Sequence, residues 1–278
     1  MIFFPNCKIN IGLFVTSKRE DAYHNIESVF YPLSLCDCLE MRKTDNTKTE
    51  FFLSGLGADV NYVAKDKNNS VLKAFYLLRS NFPKITNAKI YLHKNIPTFA
   101  GLGGGSADGT FALKLTDFMF DLRLSDEQLY YYASKLGSDN FFFLENRPMF
   151  VYGRGDKTED VNISLKDYYI VLIKPDINIQ TKEAYKNVHL TPKPFNLRNL
   201  DVKDIRNWKD YVRNDFELSL FEQYPLLAQI KQMLYDNGAL YAQMSGSGAT
   251  VFGIFDKELN LEGLNIDKTF FVHQEKLK

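Results

Sequence analysis

Residues 96–115 read IPTFAGLGGGSADGTFALKL. Gly101, Gly103, Gly104, Gly105 and Gly109 crowd the front of an apolar run. Glycine loses more backbone entropy on ordering than any other residue, so such a cluster marks a backbone shape that side chains would forbid. Beyond it, Ala107, Phe111, Ala112, Leu115, Phe118 and Met119 recur at helical spacing, which places the glycine turn at a helix N-terminus. Bare N–H groups there add to the positive end of the helix dipole and make an anion site suited to phosphate. The dinucleotide pattern G-x-G-x-x-G does not fit, because Ser106 stands at its last position, and no Lys follows as a Walker A loop requires. A close helix-packing turn would explain one or two of the glycines, but not three in a row followed by Ser. Asp108 would repel phosphate if aimed into the loop, so it is expected to point outward.

Around this turn the chain reads as a mixture of helices and strands. CKINIGLFVT (7–16) alternates, with Ile9, Ile11, Leu13 and Val15 on one face and Lys8 and Asn10 on the other. SVFYPLSLCDCLEMRKT (28–44) and AKIYLHKNI (88–96) are strand-like. SVLKAFYLLRSNF (70–82) has helical spacing through Val71, Ala74, Phe75 and Leu78. A further helix starts at Ser125, with Gln128 at capping-box spacing, and stops before Gly137. YYIVLIKP is a strand ended by Pro175. Pro225 suits the first turn of a helix whose stripe is Leu226, Leu227, Ile230, Met233 and Leu234, with Gly238 beyond its end. A polar, turn-rich stretch sets a domain boundary near residue 155, giving domains 1–155 and 156–278.

At 278 residues with 45% hydrophobic content, the chain can build substantial cores. Lys plus Arg and Asp plus Glu number 34 each, so there is no global electropositive field of the kind nonspecific nucleic-acid binding uses. Cys7, Cys36 and Cys38 form no C-x-x-C pair, which argues against a disulfide framework or a structural zinc site and leaves them as small apolar side chains. No stretch approaches a membrane span and no leader pattern opens the chain, so a cytoplasmic protein without membrane or nucleic-acid partners is expected. The oligomeric state is not legible.

The proline ahead of the loop and GLGGGSA (101–107) resemble the phosphate motif of the GHMP small-molecule kinases. Three further segments are similar to one branch of them, the 4-diphosphocytidyl-2-C-methyl-D-erythritol kinase family. CKINIGLFVTSKREDAYHNIESVF matches its N-terminal strand and its D-G-Y-H turn, LGSDNFFFL its L-G-A-D-V-P-F-F, and MSGSGATVFGIF the C-terminal glycine motif. The likeness runs from residue 7 to residue 255. Ala22 replaces the usual glycine of D-G-Y-H, the proline after the aspartate is missing, and Asp108 and Gly109 stand where small residues are common.

The resemblance implies an α+β, two-domain GHMP kinase fold, its N-terminal nucleotide-binding domain like ribosomal protein S5 domain 2 and its C-terminal domain ferredoxin-like, with substrates in the cleft between them. It implies ATP as phosphoryl donor, Mg2+ bridging the phosphates with help from Ser106 rather than a protein metal cage, and phosphorylation of the substrate 2-hydroxyl in non-mevalonate isoprenoid biosynthesis. Asp139 matches the catalytic aspartate, with Lys8 as the cation beside it; Pro97, Ala100, Gly101, Leu102, Gly103, Gly104, Gly105, Ser106 and Ala107 form the phosphate loop. Asn69, preceded by Asn68, falls near the adenine pocket. Asn10 serves the acceptor or supports Lys8, Tyr23 stacks on cytosine, His24 reads the base edge, and Thr181 and Tyr185 close its far side.

From the residues alone, other readings stay open. Ser138 or Asp139 could cap the next helix, DAYHN could be a surface turn, and Thr181 could be a helix cap. Gly246, Ser247 and Gly248 form a tight turn expected to abut the phosphate loop. For function, the alternatives are a GHMP kinase for another alcohol, mevalonate- or homoserine-like, and a nucleotide-binding protein without turnover. Protein-kinase chemistry is disfavoured, since neither H-R-D nor D-F-G occurs.

Overall fold

The computed structural model describes residues 1–21, 23–56, 69–188, 190, 192–264 and 266–278; Ala22 and Asn68 lie outside them. In chain order the elements begin with β1 (Ile2–Phe3), β2 (Asn6–Lys18), β3 (His24–Cys36), β4 (Cys38–Lys43), β5 (Glu50–Gly55), α1 (Ser70–Asn81) and β6 (Ala88–Lys94). There follow α2 (Gly104–Phe120), α3 (Asp126–Leu136), α4 (Asn140–Glu145), β7 (Met149–Gly153), β8 (Lys157–Asp160), β9 (Tyr169–Lys174) and α5 (Thr181–Lys186). The last are α6 (Trp208–Tyr211), α7 (Phe216–Gln223), α8 (Pro225–Asp236), β10 (Tyr241–Met244), β11 (Val251–Phe255) and β12 (Phe271–Lys276). Two compact units do not follow chain order: one comprises residues 1–7, 35–98 and 103–147, the other 8–34, 99–102 and 148–278.

In the first unit, β1, β4, β6 and β5 form a sheet in that order, with β5 parallel to β6 and the other pairs antiparallel. Helix α1 buries Val71, Ala74, Phe75 and Leu78, the four residues its spacing singles out. They share a core with Leu39, Met41, Ile90, Leu92, Ala112 and Leu115. Ser125 makes the expected capping box with Gln128, and α3 ends at Gly137. Phe118 corrects the stripe drawn for α2. It is exposed, because it lies two residues from both Thr116 and Phe120, which the helix buries; side chains two apart do not share a helix face. Its ring lies against Phe3 instead, with centroids 6.4 Å apart. The strand-like run 28–44 is broken at Asp37, which is buried between β3 and β4.

The second unit holds two four-stranded sheets, ordered β2-β3-β7-β8 and β10-β11-β9-β12. Its core gathers Leu13, Val15, Val171, Ile173, Phe216, Leu227, Ile230, Leu234 and Val251. Helix α8 opens with Pro225 at its first turn and buries Leu227, Ile230 and Leu234. Strand β2 departs from the one-sided alternation of its sequence. It buries Ile9, Ile11, Leu13 and Val15 and also Lys8 and Asn10, so that both faces are covered. Among the described residues no helix is long and apolar enough to cross a membrane.

Candidate active site

The first unit supplies the helix end of the glycine loop. Gly103 is the N-cap of α2 in the left-handed region, φ 72°, and as glycine it brings no side-chain acceptor to the first-turn N–H groups. A Cβ on Gly104 would come within 2.9 Å of Ile96 Cγ2, and one on Gly109 within 3.2 Å of Ser70 Cβ. The cluster therefore divides its work: Gly103 sets the turn, Gly104 allows close approach to Ile96, and Gly109 is the helix-packing glycine. Asn69 caps α1, its Oδ1 accepting from Val71 N at 2.9 Å and from Leu72 N. Pro97 and Ser106 are half-buried and Ala107 is fully buried.

Asp139 occupies the N-cap position of α4 but makes no side-chain capping bond, so the capping alternative does not describe its carboxylate. It is half-buried. Its neighbour Asn140 fixes it to α2: Asn140 Nδ2 donates to Ser106 O and to Thr110 Oγ1, both at 3.0 Å. Thr110 Oγ1 donates back to Asn140 O at 3.2 Å. Asp108 is not outward-facing as expected. It is buried and pairs with Lys94 at 2.6 Å, because the second turn of α2 faces the interior of its unit and a cation waits there. Burial nonetheless pushes its carboxyl up to about 7.

In the second unit Lys8 is only 3% exposed, which rules out an ordinary solvated strand lysine. Its Nζ donates to Asn10 Oδ1 at 2.5 Å and to Gly101 O at 3.1 Å, and sits 4.5 Å from the Phe30 ring centroid. Asn10 Nδ2 donates to Ser28 Oγ at 2.9 Å, and Ser28 Oγ to Gly12 O at 2.6 Å. Ser245 Oγ accepts from Asn10 N and donates to Gly101 O at 3.0 Å. Asn10 thereby joins Lys8 directly to the Ser28 and Ser245 hydroxyls. The second glycine turn does abut the loop: Ala249 N and Thr250 N donate to Phe99 O and Ala100 O, both at 3.2 Å. Gly101 has φ 72°, and a Cβ there would lie 2.0 Å from Ser245 O. Leu102 O accepts from Lys8 N at 3.0 Å.

Further along the second unit, the His24 and Tyr185 rings stack at 4.9 Å, and Phe216 meets Tyr185 edge-on at 4.8 Å. Tyr23, 60% exposed, has the Arg154 guanidinium 5.3 Å from its ring centroid. Arg19 N donates to Tyr23 O at 2.8 Å. Burial and the charge of Lys18 hold the His24 imidazole below its ordinary pKa. Thr181 opens α5 after the N-cap Gln180, so it is not the cap, and its Oγ1 shares a 3.2 Å hydrogen bond with Ser247 Oγ. Ser28, Phe30, Phe216 and Ser245 carry no role in the sequence reading. Ser28 and Phe30 close the quoted CKINIGLFVTSKREDAYHNIESVF segment and Ser245 stands in the quoted MSGSG segment, whereas Phe216 lies outside every quoted motif.

Two family models match the chain: GHMP kinases N terminal domain over residues 69–153, and GHMP kinases C terminal over residues 196–263. The 4-diphosphocytidyl-2-C-methyl-D-erythritol kinase of Bacteroides fragilis (strain YCH46) is 43% identical over 275 residues, covering 99% of each chain. The enzyme of that name from Parabacteroides distasonis is 42% identical over 277 residues, covering 100% of each chain. A crystal structure of 4-(cytidine 5'-diphospho)-2C-methyl-D-erythritol kinase superposes with a TM-score of 0.74 at 26% identity, over 91% of this chain and 90% of that one. Likeness at this level over the full length, with the loop, lysine and aspartate motifs in place, has one conclusion: the chain belongs to the 4-diphosphocytidyl-2-C-methyl-D-erythritol kinase family of GHMP kinases.

Proposed function

We propose that the chain transfers the γ-phosphoryl group of ATP to the 2-hydroxyl of 4-diphosphocytidyl-2-C-methyl-D-erythritol, giving the 2-phosphate and ADP on the non-mevalonate route to isoprenoids. The observation that carries this reading is Lys8: a buried ammonium bound to the Gly101 carbonyl is a cation built into the glycine loop itself. Asp139 takes the hydroxyl proton, and Lys8 stabilises the developing alkoxide. The amides of 101–106, with Pro97, Ala100, Leu102 and Ala107 shaping the loop, hold the phosphate oxygens. Asn69 lies near the adenine. Tyr23, His24, Thr181 and Tyr185 hold the cytosine, and Asn10 bonds the acceptor substrate or keeps Lys8 in place.

Among the described residues no group of three or more His, Cys, Asp or Glu could hold a metal ion. Mg2+ is usually carried by substrate phosphates and water with few protein ligands; Ser106 is the side chain that would assist, and the ion would neutralise phosphate charge. Location in the cytoplasm and a working division into 1–155 and 156–278 belong to the same proposal. The test is ADP release with the cytidyl alcohol, mevalonate and homoserine as competing acceptors. A strong preference for the cytidyl alcohol is expected; preference for an acceptor without cytidine would overturn the substrate assignment.

A further inference from the structure

Beneath the helix end of the glycine loop lies an ion cluster drawn from β6, α2 and the link between β3 and β4. Lys94, the last residue of β6, donates from Nζ to Asp37 Oδ2 and to Asp108 Oδ2, the latter at 2.6 Å. All three residues are buried. The second oxygen of Asp37 accepts the backbone N–H groups of Asn95 and Ile96, at 2.7 and 2.8 Å. These two residues are the entrance to the glycine loop, and Asp108 sits one turn inside the helix at its exit. The exit is close to the same cation, since a Cβ on Gly104 would lie 3.5 Å from Lys94 Nζ.

The cluster is poorly suited to two simpler roles. Buried ion pairs add little net stability because desolvation offsets their attraction, and here Asp108 Oδ1 finds no hydrogen-bond partner. Nor does it attract phosphate, because two carboxylates around one ammonium leave no surplus of positive charge. What it fixes is distance. We infer that Lys94, held between Asp37 and Asp108, is a positioning residue for phosphoryl transfer: it ties the loop entrance to the first turns of α2 and so sets the spacing at which the loop amides meet nucleotide phosphates. The inference rests on the reading of the glycine loop as the nucleotide phosphate site.

The test uses the full chain with Asp37→Asn and Asp108→Asn. The readouts are the affinity of a fluorescent ADP analogue, the KM values for ATP and for the cytidyl alcohol, and hydrogen exchange across residues 95–108. Asp37→Asn is expected to weaken the analogue about tenfold, with a matching rise in KM for ATP and an alcohol KM changed less than about twofold. Exchange at the amides of Asn95 and Ile96 should quicken. Asp108→Asn keeps one acceptor for Lys94 and should show the same pattern at about threefold, which preserves the test if Asp37→Asn does not fold. Unchanged nucleotide affinity in both folded variants, or an equal rise in both KM values, would overturn the inference alone. A parent chain that does not bind the analogue would refute the loop reading and this inference with it.

Discussion

The imidazole of His24 lies flat against the phenol ring of Tyr185, the planes 16° from parallel, while Phe216 braces Tyr185 from the side. On the proposed function, rings so braced would meet the cytosine with little ordering left to do. Tyr185→Phe should leave the KM for the cytidyl alcohol within about twofold, and Tyr185→Leu should raise it about tenfold, with the KM for ATP steady in both. Steady-state kinetics with each substrate varied in turn checks this; equal KM values for parent and Tyr185→Leu would remove the ring from recognition.

The depressed pKa of His24 carries a sign. Because the folded chain binds that proton less tightly than the unfolded chain, the contribution of neutral His24 is present above the ordinary value of 6.5 and lost as pH falls through the lower folded value. Replacement by Gln removes the loss. The Tm of His24→Gln minus that of the parent should therefore rise between pH 8 and pH 5, and a difference independent of pH would contradict the assignment.

Asp108 runs the other way. Its carboxyl is raised from 3.8 to about 7, so its most favourable contribution is present below the unfolded pKa and is lost as pH climbs through about 7. Asp108→Asn should gain stability relative to the parent on going from pH 5 to pH 8. Thermal unfolding at the two pH values reads it directly.

Two glycines with positive φ should respond very differently to alanine. At Gly238, φ 91°, a Cβ meets nothing within 4 Å, so only the left-handed backbone is penalised, by about 1 kcal/mol. At Gly101, φ 72°, the Cβ would fall 2.0 Å from Ser245 O. Something must shift there, and a loss of about 3 kcal/mol or more is expected, together with weaker nucleotide binding. Urea unfolding of the two variants distinguishes them; equal losses would mean that the loop yields freely.

Local chemistry was legible where a residue's partners are near in sequence. The buried stripe of α1, the Ser125–Gln128 box and the start of α8 at Pro225 all follow from spacing and capping. The glycine turn was legible as a helix N-terminus for the same reason. What escaped depends on distant partners. Asn10 and Ser245 are 235 residues apart, and Asp108 turns inward because Lys94 and Asp37 meet it there. No periodicity in α2 reports that pairing. Strand β2 looked one-sided because alternation cannot show that a lysine and an asparagine on its polar face will be buried by their own hydrogen-bond network.

ADP release by Asp139→Asn, measured alongside nucleotide affinity, most directly tests the proposal that Asp139 and Lys8 act on one hydroxyl during phosphoryl transfer to the cytidyl alcohol. A fall in turnover of about a thousandfold or more, with affinity for the ADP analogue within about twofold of the parent, is the predicted result. Turnover equal to the parent's would contradict the account.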